Sequence, residues 1–563
     1  MKRMTTLNLG AILLLALSFG LGKEDITLTA MVQELNRSFN TLSKQKPVPL
    51  YYLQYEVWDQ HQIYIIASLG AITYDTDEKN RYLDVDARVG SPKLDNTHEI
   101  RGGGYDYSDW MSSENEVPID NNPDALRAIL WITTDQRFKS AQEKYIKVLS
   151  ERQVKVAESD TSADFSPTPK TVYDGRPTEF VLEAKPWRDE LRRLSNIFKQ
   201  YPWIYSSQIS LRAVALNKYL VNTDQTRIAD GDIRYYLRFS SSTMADDGME
   251  LNLIESFYAT SLEKLPSETE IATKIDTLVR NLDALRNAPL VEPYSGPAIL
   301  INRACGVFFH EIFGHRIEGH RQKSEYEGQT FTKKVNEKIM PEFISIVDDP
   351  TMVNFNNRDL NGHYRFDDEG VTAQKSVIVE KGILRGFLTS RSPIAGFPNS
   401  NGHGRRSYGR RVVSRQGVLY IKSDNEVSFD QLRDKMIEEC KQQNKPYGLI
   451  FYDISGGYTM MGRESAQTFK VIPLLVKRVY VDGRPDEVVR GVDIVGTPLM
   501  SLSKIILTGD DYGIFNGTCG AESGWVPVSS IAPSILVSEI EIEKKAKGQD
   551  KPPILPAPNA PSR

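Results

Sequence analysis

Three of the chain's seven histidines fall within eleven positions, in the segment CGVFFHEIFGHRIEGHRQ. His310 is followed directly by Glu311, and His315 comes five positions after the first histidine. The helical zinc-protease signature H-E-x-x-H instead places its two histidines four positions apart. Two imidazoles and an adjacent carboxylate can bind zinc and move a proton, so the segment is a candidate metal site with altered spacing.

Spacing alone leaves two interpretations open. Side chains five positions apart on an ideal α-helix point about 140° away from each other, so an ordinary helix would not aim both histidines at one ion. A π-bulge would bring them into line, and at Gly314 such a distortion would cost little energy. The alternative is a helix that is merely rich in histidine, with His320 facing solvent and His315 hydrogen-bonded to Glu318 at the surface.

The elements that position these histidines are predicted to be a strand and a helix, in that order, over AILINRACGVFFHEIFGHRIEGHR. A second, amphipathic helix carries Cys440, with Leu432, Met436 and Ile437 on one side. Glycine-rich segments of β-type composition surround both helices. This part of the chain is therefore expected to be a β-rich domain that carries the metal-binding helix.

The first half of the chain has a different pattern. Helical spacing in LTAMVQELNRSFNTL is followed by two alternating runs that predict antiparallel strands. Further helices follow, together with a strand-rich meander over residues 204–260; the last helix begins with Ser267 and Glu270 at the positions of a capping box. The polar residues 155–180 predict a long surface loop. Together these elements predict a domain of helices and an antiparallel sheet.

The fold class that these patterns predict is α+β, a mixed α/β chain whose 563 residues are too many for one hydrophobic core. The three prolines of NAPLVEPYSGP mark the boundary between two domains. We assign residues 1–22 to a signal peptide, 23–290 to an N-terminal α/β domain, 291–545 to the C-terminal domain and 546–563 to a disordered Pro-rich tail.

The N-terminus has the layout of a cleavable secretory signal. Lys2 and Arg3 precede an apolar run over residues 9–17, and Gly20 and Gly22 follow in a small-x-small arrangement. The run is too short for a comfortable membrane span, although an uncleaved anchor is the alternative. We expect an exported protein, periplasmic or secreted, without stable membrane insertion after the signal is cleaved.

Composition argues against one class of partner. Hydrophobic residues at 40% and charged residues at 25% are ordinary for a folded soluble protein. The net charge of −5 includes no basic excess, so binding of nucleic acid has no support. Three cysteines are too few for a disulfide scaffold, which leaves each thiol to be explained separately.

Several segments together resemble the TldD/PmbA metallopeptidase family, also called modulator of DNA gyrase. The resemblance is carried by GPAILINRACGVFFHEIFGHRIEGHR, YRFDDEGVTAQKSVIVEKGILRGFL, NGHGRRSYGR, RGVDIVGTPLMSLSKI and NGTCGAESGWVPVSSIAPSILVSEIEI, in the expected order over residues 290–545. H-E-x-x-x-H is typical of the catalytic, TldD-like branch, whereas PmbA-like partners lack it. The resemblance is weak in the N-terminal half.

The resemblance implies a zinc site. In the family the third ligand is a cysteine near the C-terminus, which corresponds to Cys519, so that His310, His315 and Cys519 would bind zinc and leave a fourth position for water. Glu311 would take a proton from that water and pass it to the leaving amine. The main interpretation of Cys305 is a buried thiol, and the alternatives are a ligand of the metal or a disulfide partner of Cys519.

The Gly/Arg loop NGHGRRSYGRR offers candidate substrate-binding residues in His403, Arg405 and Arg406. They could meet a peptide carboxylate or the charge that develops on the carbonyl oxygen. A solvated surface loop is the alternative interpretation. The acidic segment RFDDEG, which includes Asp367, lacks the spaced ligands of a calcium loop and predicts a turn bonded to nearby backbone.

The predicted function is that of a zinc-dependent peptidase, which hydrolyses extended or unfolded peptides with a metal-activated water. The resemblance implies a site enclosed in a dimer, either a homodimer or a heterodimer with a PmbA-like partner. Two alternatives stay open. One is a non-catalytic TldD/PmbA-like scaffold or binding subunit, and the other is an exported zinc amidase that acts on cell-wall peptides.

Overall fold

The computed structural model describes residues 25–100, 115–152 and 160–545, apart from positions 176, 181, 325 and 464–466, and also positions 553, 555 and 558. The predicted signal peptide lies outside these residues, as does most of the predicted tail. Within the described ranges, no helix combines the length and the apolar character that crossing a membrane requires.

The N-terminal domain consists of helices packed on long antiparallel strands. Its elements in chain order are α1 Ile26–Leu42, β1 Leu50–Ser68, β2 Ala71–Ser91, β3 Leu94–Asp95, β4 Asn115–Glu116, α2 Pro123–Arg152, β5 Val172–Asp174, α3 Ala184–Asn196, a 3₁₀ turn Ile197–Gln200, β6 Ser206–Asn222, β7 Arg227–Met244, β8 Glu250–Ala259, a 3₁₀ turn Leu262–Lys264, and α4 Glu268–Asn287.

These strands form one eight-stranded sheet in the order β3-β2-β1-β6-β7-β5, with β4 on β2 and β8 on β7. Helices α1 and α2 pack on one half of the sheet around Met31 and Tyr55. Helices α3 and α4 pack on the other half around Leu237 and Leu282. The strands are long enough to support two separate hydrophobic clusters.

The sequence predicted most of these elements. Helix α4 begins with the capping box, in which the Ser267 and Glu270 side chains bond each other's backbone N–H. The predicted surface loop is wrong in its described part, because Phe165 is buried. The guanidinium carbons of Arg88 and Arg391 each lie 3.9 Å from the centre of its ring. Isolated aromatic residues in a polar segment gave too little hydrophobic pattern to predict this packing.

The C-terminal domain has many shorter strands. Its elements in chain order are β9 Tyr294–Leu300, α5 Asn302–Ile312, a 3₁₀ turn Gly314–Ile317, α6 His320–Lys323, β10 Ile344–Asp348, β11 Asn354–Phe355, β12 Arg358–Asp359, β13 Ser376–Glu380, β14 Ile383–Leu384, β15 Gly404–Arg405, β16 Val413–Ser414, β17 Val418–Ser423, β18 Glu426–Val427, α7 Phe429–Gln442, β19 Tyr447–Thr459, β20 Phe469–Tyr480, β21 Glu487–Val489, β22 Val492–Gly496, α8 Pro498–Ser503, β23 Ile505–Gly509, β24 Gly513–Ala521, β25 Gly524–Ala532 and β26 Ile535–Lys544.

Two large sheets organise this domain. One has the order β14-β13-β10-β17-β25-β24. The other runs β18-β23-β26-β22-β20-β19-β9, and it closes on itself because β9 pairs with both β19 and β26. Helix α5 is buried between the two sheets, in one core cluster with residues of both. The predicted α+β fold class is confirmed, including the β-rich second domain that carries the histidine helix.

Candidate metal centre

Helix α5 is held in place by its apolar residues. Phe308, Phe309 and Ile312 are buried in the main core of the C-terminal domain, and all residues from Ala304 to Ile312 are buried. The strand-to-helix turn passes through Asn302, whose φ of 46° is a left-handed conformation that asparagine tolerates better than most residues. A rigid, fully packed helix therefore carries His310 and Glu311 near its C-terminal end.

The altered histidine spacing is explained by the end of the helix. The structure has no π-bulge at this point, contrary to the expectation above. Helix α5 ends at Ile312, and His315 lies in the 3₁₀ turn Gly314–Ile317 that follows. A Cβ at Gly314 would lie 1.9 Å from Gln416 Oε1, so this turn accommodates only glycine without a shift of its neighbour. The helix ends and the chain turns, which brings the second histidine back towards the first.

Cys519 reaches the histidines from β24. This strand forms a hairpin with β25 in which Cys519 pairs with Val526. The Cys519 Sγ atom lies 3.1 Å from His310 Nε2 and 3.4 Å from His315 Nε2. All three side chains are buried, with exposed fractions of 4% for His310, 7% for His315 and 5% for Cys519.

The donor set fits a zinc ion. One donor atom from each of His310, His315 and Cys519 lies within 4.8 Å of the other two. Tetrahedral zinc with bonds of about 2.0 to 2.3 Å needs ligand atoms about 3.3 to 3.8 Å apart, which is close to the two contacts of Cys519. Burial of this many polar atoms without a shared partner would be unfavourable, and one of them, His310 Nδ1, has no hydrogen bond among the described residues.

The charges around Cys519 favour the ligating form of its side chain. Burial alone would raise the pKa of the thiol, but His315, His310 and Arg415 hold this pKa well below its ordinary value. Burial likewise opposes the charged form of both histidines, and the neighbouring thiolate nevertheless raises their pKa. The site thus stabilises a thiolate, which is the form that binds metal.

A buried carboxylate orients the second histidine. His315 Nδ1 lies 3.2 Å from Glu318 Oε2. A carboxylate only accepts, so Nδ1 is the donor and Nε2 is left to face the metal. Burial alone would raise the pKa of Glu318, but His315, Arg321 and Arg415 lower it. The carboxylate that fixes the imidazole is therefore ionised.

Two arginines bind the carboxylates that surround the histidine turn. Arg321 donates to Glu318 Oε2, Glu327 Oε1 and Glu522 Oε2, each at 2.9 Å. Arg415 donates to Glu318 Oε1 at 3.2 Å and to the Cys519 carbonyl at 2.9 Å. The arginines tie the histidine turn to the cysteine hairpin.

The proposed base lies beside the ligands in a cleft. Glu311 is 8% exposed, and a Cβ at Gly457 would lie 2.9 Å from its Cγ. No hydrogen bond to its carboxylate exists within the described ranges. The cleft has a volume of about 490 Å³ and is lined by His310, Glu311, His315 and Cys519, by residues 455–459 of β19, and by the exposed Trp525. The carboxylate is thus available to a small molecule in the cleft.

The candidate substrate-binding residues lie elsewhere. His403 is fully buried, with Nε2 3.3 Å from Asp348 Oδ1. Arg405 donates to the carbonyls of Gln416 and Pro527 at 2.6 and 2.7 Å. Neither residue lines the cleft. Both hold the Gly/Arg loop inside the C-terminal domain.

Arg406 joins the two domains instead of lining the cleft. Its Nη2 atom donates to Glu56 Oε2 at 2.6 Å, and its backbone N–H donates to Asp368 at 2.7 Å. Asp367 accepts hydrogen bonds from the backbone N–H groups of Glu369, Val371 and Gly404, which is the turn geometry predicted for RFDDEG.

Other expectations concerned the remaining cysteines and the residues around the histidines. Cys305 is a free, fully buried thiol, so it forms no disulfide with Cys519. The pair of His315 and Glu318 is buried rather than at the surface. The sequence pattern did not assign Arg321, Arg415 or Glu522 to the site. Arg415 and Glu522 lie far along the chain from the histidines. Arg321 directly follows His320, and its i,i+3 spacing from Glu318 was a signal that could have found it.

Comparisons with known proteins show what the C-terminal domain is similar to. Residues 293–544 match the family model described as PmbA/TldA metallopeptidase C-terminal domain. A protein of Archaeoglobus fulgidus named metalloprotease is 32% identical over 262 residues, which are 46% of this chain and 56% of that protein. A zinc metalloprotease TldD homolog of Saccharolobus solfataricus is 28% identical over 248 residues, 44% of this chain and 51% of that protein. The chain thus spans about half the length of these curated relatives.

Solved structures extend the likeness of fold to nearly the whole chain. TldE from Thermococcus kodakarensis has a TM-score of 0.59 at 14% identity, and the match covers 91% of this chain and 100% of that one. A putative modulator of a DNA gyrase from Thermotoga maritima has a TM-score of 0.57 at 18% identity, covering 91% and 99%. Residues 293–544 of this chain therefore match the C-terminal domain of the PmbA/TldA metallopeptidase family, and the fold resembles these solved structures over nearly the whole chain.

Proposed function

We propose that the protein is a zinc-dependent peptidase that hydrolyses extended or unfolded peptides. The observation that carries this proposal is the convergence of His310, His315 and Cys519 within 4.8 Å beside the unbonded carboxylate of Glu311. A binding subunit without turnover would need no base next to the ligands. The names metalloprotease and zinc metalloprotease on curated relatives support the same activity.

Each residue of the centre has a distinct task. His310, His315 and Cys519 would hold the zinc ion, which supplies the Lewis acidity that polarises a peptide carbonyl. Glu311 takes one proton from the attacking water on a carboxylate oxygen and delivers it to the leaving amine nitrogen. Glu318 keeps the proton of His315 on Nδ1. The buried core behind α5 keeps bulk water from the ligands.

One edge of β19 is suited to hold an extended chain. Strand β19 pairs with β9 only from Leu449 to Phe451, whereas its pairing with β20 continues to Thr459. Residues 455–459 line the cleft, and a Cβ at Gly456 would meet nothing within 4 Å. An unpaired strand edge can add a peptide through main-chain hydrogen bonds with little sequence preference. This supports peptides, rather than folded proteins, as substrates.

A partner subunit is part of the proposal. Tyr458, Met460 and Trp525 have exposed fractions of 51%, 45% and 69%, and Tyr458 and Trp525 line the cleft. Large apolar side chains at a cleft rim favour burial in an assembly. We infer a homodimer or a heterodimer with a PmbA-like subunit, in keeping with the likeness of fold to TldE.

Export is the proposed route to the site of action, since the N-terminal layout is that of a secretory signal. N-terminal sequencing of the protein from a whole-cell preparation should find a mature chain that begins near Lys23. A chain that retains Met1 or Lys2 would overturn export by cleavage. An exported location keeps a zinc amidase that acts on cell-wall peptides as the second candidate.

Metal content and peptide hydrolysis test the function together. Elemental mass spectrometry should find about one zinc per chain in the reduced protein and a large loss in Cys519→Ser. Cys440→Ser is the matched control, because Cys440 is a buried thiol in a separate cluster. Glu311→Gln should retain zinc and hydrolyse a mixed peptide library about 10² to 10⁴ times more slowly.

Three outcomes would contradict the proposal in different ways. Zinc-free protein after zinc incubation would remove the metal centre and favour a scaffold. Zinc retained in Cys519→Ser would assign the third ligand elsewhere. Hydrolysis of cell-wall fragments without cleavage of the peptide library would favour the amidase.

A further inference from the structure

A second cavity, of about 600 Å³, lies between the two domains. Its charged lining consists of four basic and two acidic side chains: Arg238, Lys274, Arg303, Arg358, Glu255 and Asp453. Tyrosine rings supply much of the remaining surface. Neither the metal centre nor the proposed base faces this cavity, so the proposed function leaves it unexplained.

The cavity adjoins the cleft of the metal centre. On α5, Arg303 lines the cavity while Val307 and His310 line the cleft. On β19, the cavity reaches Asp453 and the cleft begins at Ser455. Strand β24 contributes residues to both. The two spaces therefore follow one another along the same elements.

The spacing along α5 matches a short piece of peptide. Arg303 and His310 are seven residues apart, which is two helical turns on one face, or about 10.5 Å. An extended peptide advances about 3.3 Å per residue. About three residues of an extended chain would therefore cover the length of α5 between His310 and Arg303.

Charge in the cavity favours an anion. Glu255 lies 3.5 Å from Lys274, and Asp453 lies 3.0 Å from Arg303, so each acid has a basic partner. Arg238 and Arg358 form no ion pair with any residue that the structure describes. Two positive charges are therefore left over in a half-enclosed space.

Arg303 has unused donors of its own. Both of its contacts with Asp453 are made by Nη1, at 3.0 and 3.1 Å. Its Nε and Nη2 atoms have no hydrogen bond within the described ranges, and a quarter of the side chain is exposed. A guanidinium with two free neighbouring donors binds a carboxylate well.

The N-terminal domain forms part of the wall of the cavity but not of the cleft. Strands β7 and β8 and helix α4 line the cavity, whereas no residue of these elements lines the cleft. A peptide that passes from the cleft into the cavity meets this domain after a few residues. The arrangement favours the end of a chain over a continuing chain.

We propose that Arg303, in a cavity that is also lined by Arg238 and Arg358, binds the C-terminal carboxylate of a peptide substrate. The enzyme then adds water across a C–N bond about three residues before the end of the chain. The longer product gains a carboxylate and the short fragment gains an amine. This rests on the proposed peptidase function and makes the enzyme a carboxyl-end exopeptidase that releases short fragments.

Binding tests the carboxylate site without turnover. The zinc-loaded Glu311→Gln protein is titrated into a ten-residue Ala/Ser/Gly peptide labelled with fluorescein at its N-terminus, ending in a carboxylate or in an amide. Fluorescence anisotropy should show the carboxylate peptide binding about tenfold more tightly, as a charged hydrogen-bonded pair predicts. Adding Arg303→Gln should abolish this difference.

Asp453→Asn separates binding from a structural role. It removes a carboxylate that competes for Arg303, so the preference for the carboxylate peptide should persist or grow. The matched control is Arg193→Gln, which breaks an exposed pair with Glu268 elsewhere and should leave the preference unchanged. Equal losses in Arg303→Gln and Asp453→Asn would show that the pair only holds α5 to β19, and would overturn the proposal.

Hydrolysis by the wild-type protein separates a failure of the carboxylate site from a failure of the proposed peptidase function. Mass spectrometry should find released fragments of about two to four residues from the carboxyl end, with the amide peptide cut about tenfold more slowly. Equal cleavage of both peptides at internal bonds would overturn the carboxylate site and leave the peptidase intact. Fragments released from the amino end would also overturn it. A binding preference without any cleavage would instead overturn the peptidase and leave the carboxylate site intact.

Discussion

His310 Nε2 lies 3.1 Å from Cys519 Sγ, although 209 positions separate the two residues in the chain. The contact exists because α5 is buried against the β24–β25 hairpin in one core. Hydrophobic packing therefore sets the position of the ligands. Such preorganisation predicts that changes in the supporting residues alter metal affinity more than changes in the cleft rim do.

Replacing Glu318 with Gln should lower zinc affinity about 10- to 100-fold. The substitution keeps the shape of the side chain but weakens the acceptor that holds the proton of His315 on Nδ1. Competition between the protein and a zinc chelator measures the change.

The matched control for that substitution is Glu327→Gln. Glu327 also accepts from Arg321 at 2.9 Å, whereas the bond from His315 Nδ1 goes to Glu318. Its zinc affinity should stay at the wild-type value. An equal loss in both variants would mean that the charge around Arg321, and not the bond to His315, determines the zinc affinity.

Gly314→Ala should destabilise the protein by about 1 to 3 kcal/mol, because the added methyl overlaps the buried Gln416 side chain. Chemical denaturation measures the free energy of unfolding. Gly456→Ala is the control, since a Cβ there meets no atom within 4 Å. Shortening Gln416 to Ala in the same chain should recover part of the loss; no recovery would show that the overlap with Gln416 does not cause it.

Asp453 should make stability fall as pH rises from about 4 to 6. Burial raises the pKa of this carboxyl to about 6, against the opposing effect of Arg303. Between the unfolded and folded pKa values the native state keeps a proton that the unfolded chain has lost, so each step up in pH favours unfolding. The full effect is about 3 kcal/mol and is complete above pH 6.

Comparison with Asp453→Asn isolates that effect. Urea denaturation measures the free energy of unfolding of both proteins at pH 4 and pH 7.5. Relative to the wild type, the variant should be more stable at pH 7.5 than at pH 4, by up to about 3 kcal/mol. A constant difference between the two proteins would show that Asp453 has an ordinary pKa.

Arg406→Gln should cost about 3 to 5 kcal/mol at neutral pH, because it leaves Glu56 buried without its partner. Burial raises the pKa of Glu56 to about 7 even with Arg406 opposing it. Without the arginine this pKa rises further, so the loss of stability should be larger at pH 8 than at pH 6.

The control for the interdomain pair is Arg365→Gln, which breaks the half-exposed contact of Arg365 with Asp230 and should cost at most about 1 kcal/mol. The double variant Glu56→Gln, Arg406→Gln should recover much of the loss. If Arg406→Gln and Arg365→Gln lower the free energy of unfolding equally, burial of the Glu56 pair does not increase its contribution to stability.

Local patterns in the sequence predicted much of the secondary structure, because they act over a few residues. The capping box of Ser267 and Glu270, the alternation in β1 and β2, and the turn at Asp367 all appear where they were expected. The spacing of His310 and His315 correctly indicated an irregular helix, but the predicted π-bulge was wrong. A helix end followed by a 3₁₀ turn brings the two histidines together equally well.

The sequence by itself indicated most of the elements, the fold class and the family that the C-terminal domain matches, because hydrophobic periodicity and short motifs are local properties. It also identified His310, Glu311 and His315 as neighbours. Only the tertiary structure brought Cys519 into contact with them, and only it assigned the arginines of the Gly/Arg loop. Charged residues far apart in the chain meet according to how sheets pack, and the same R-R pattern serves a peptide site or a buried interdomain pair equally well.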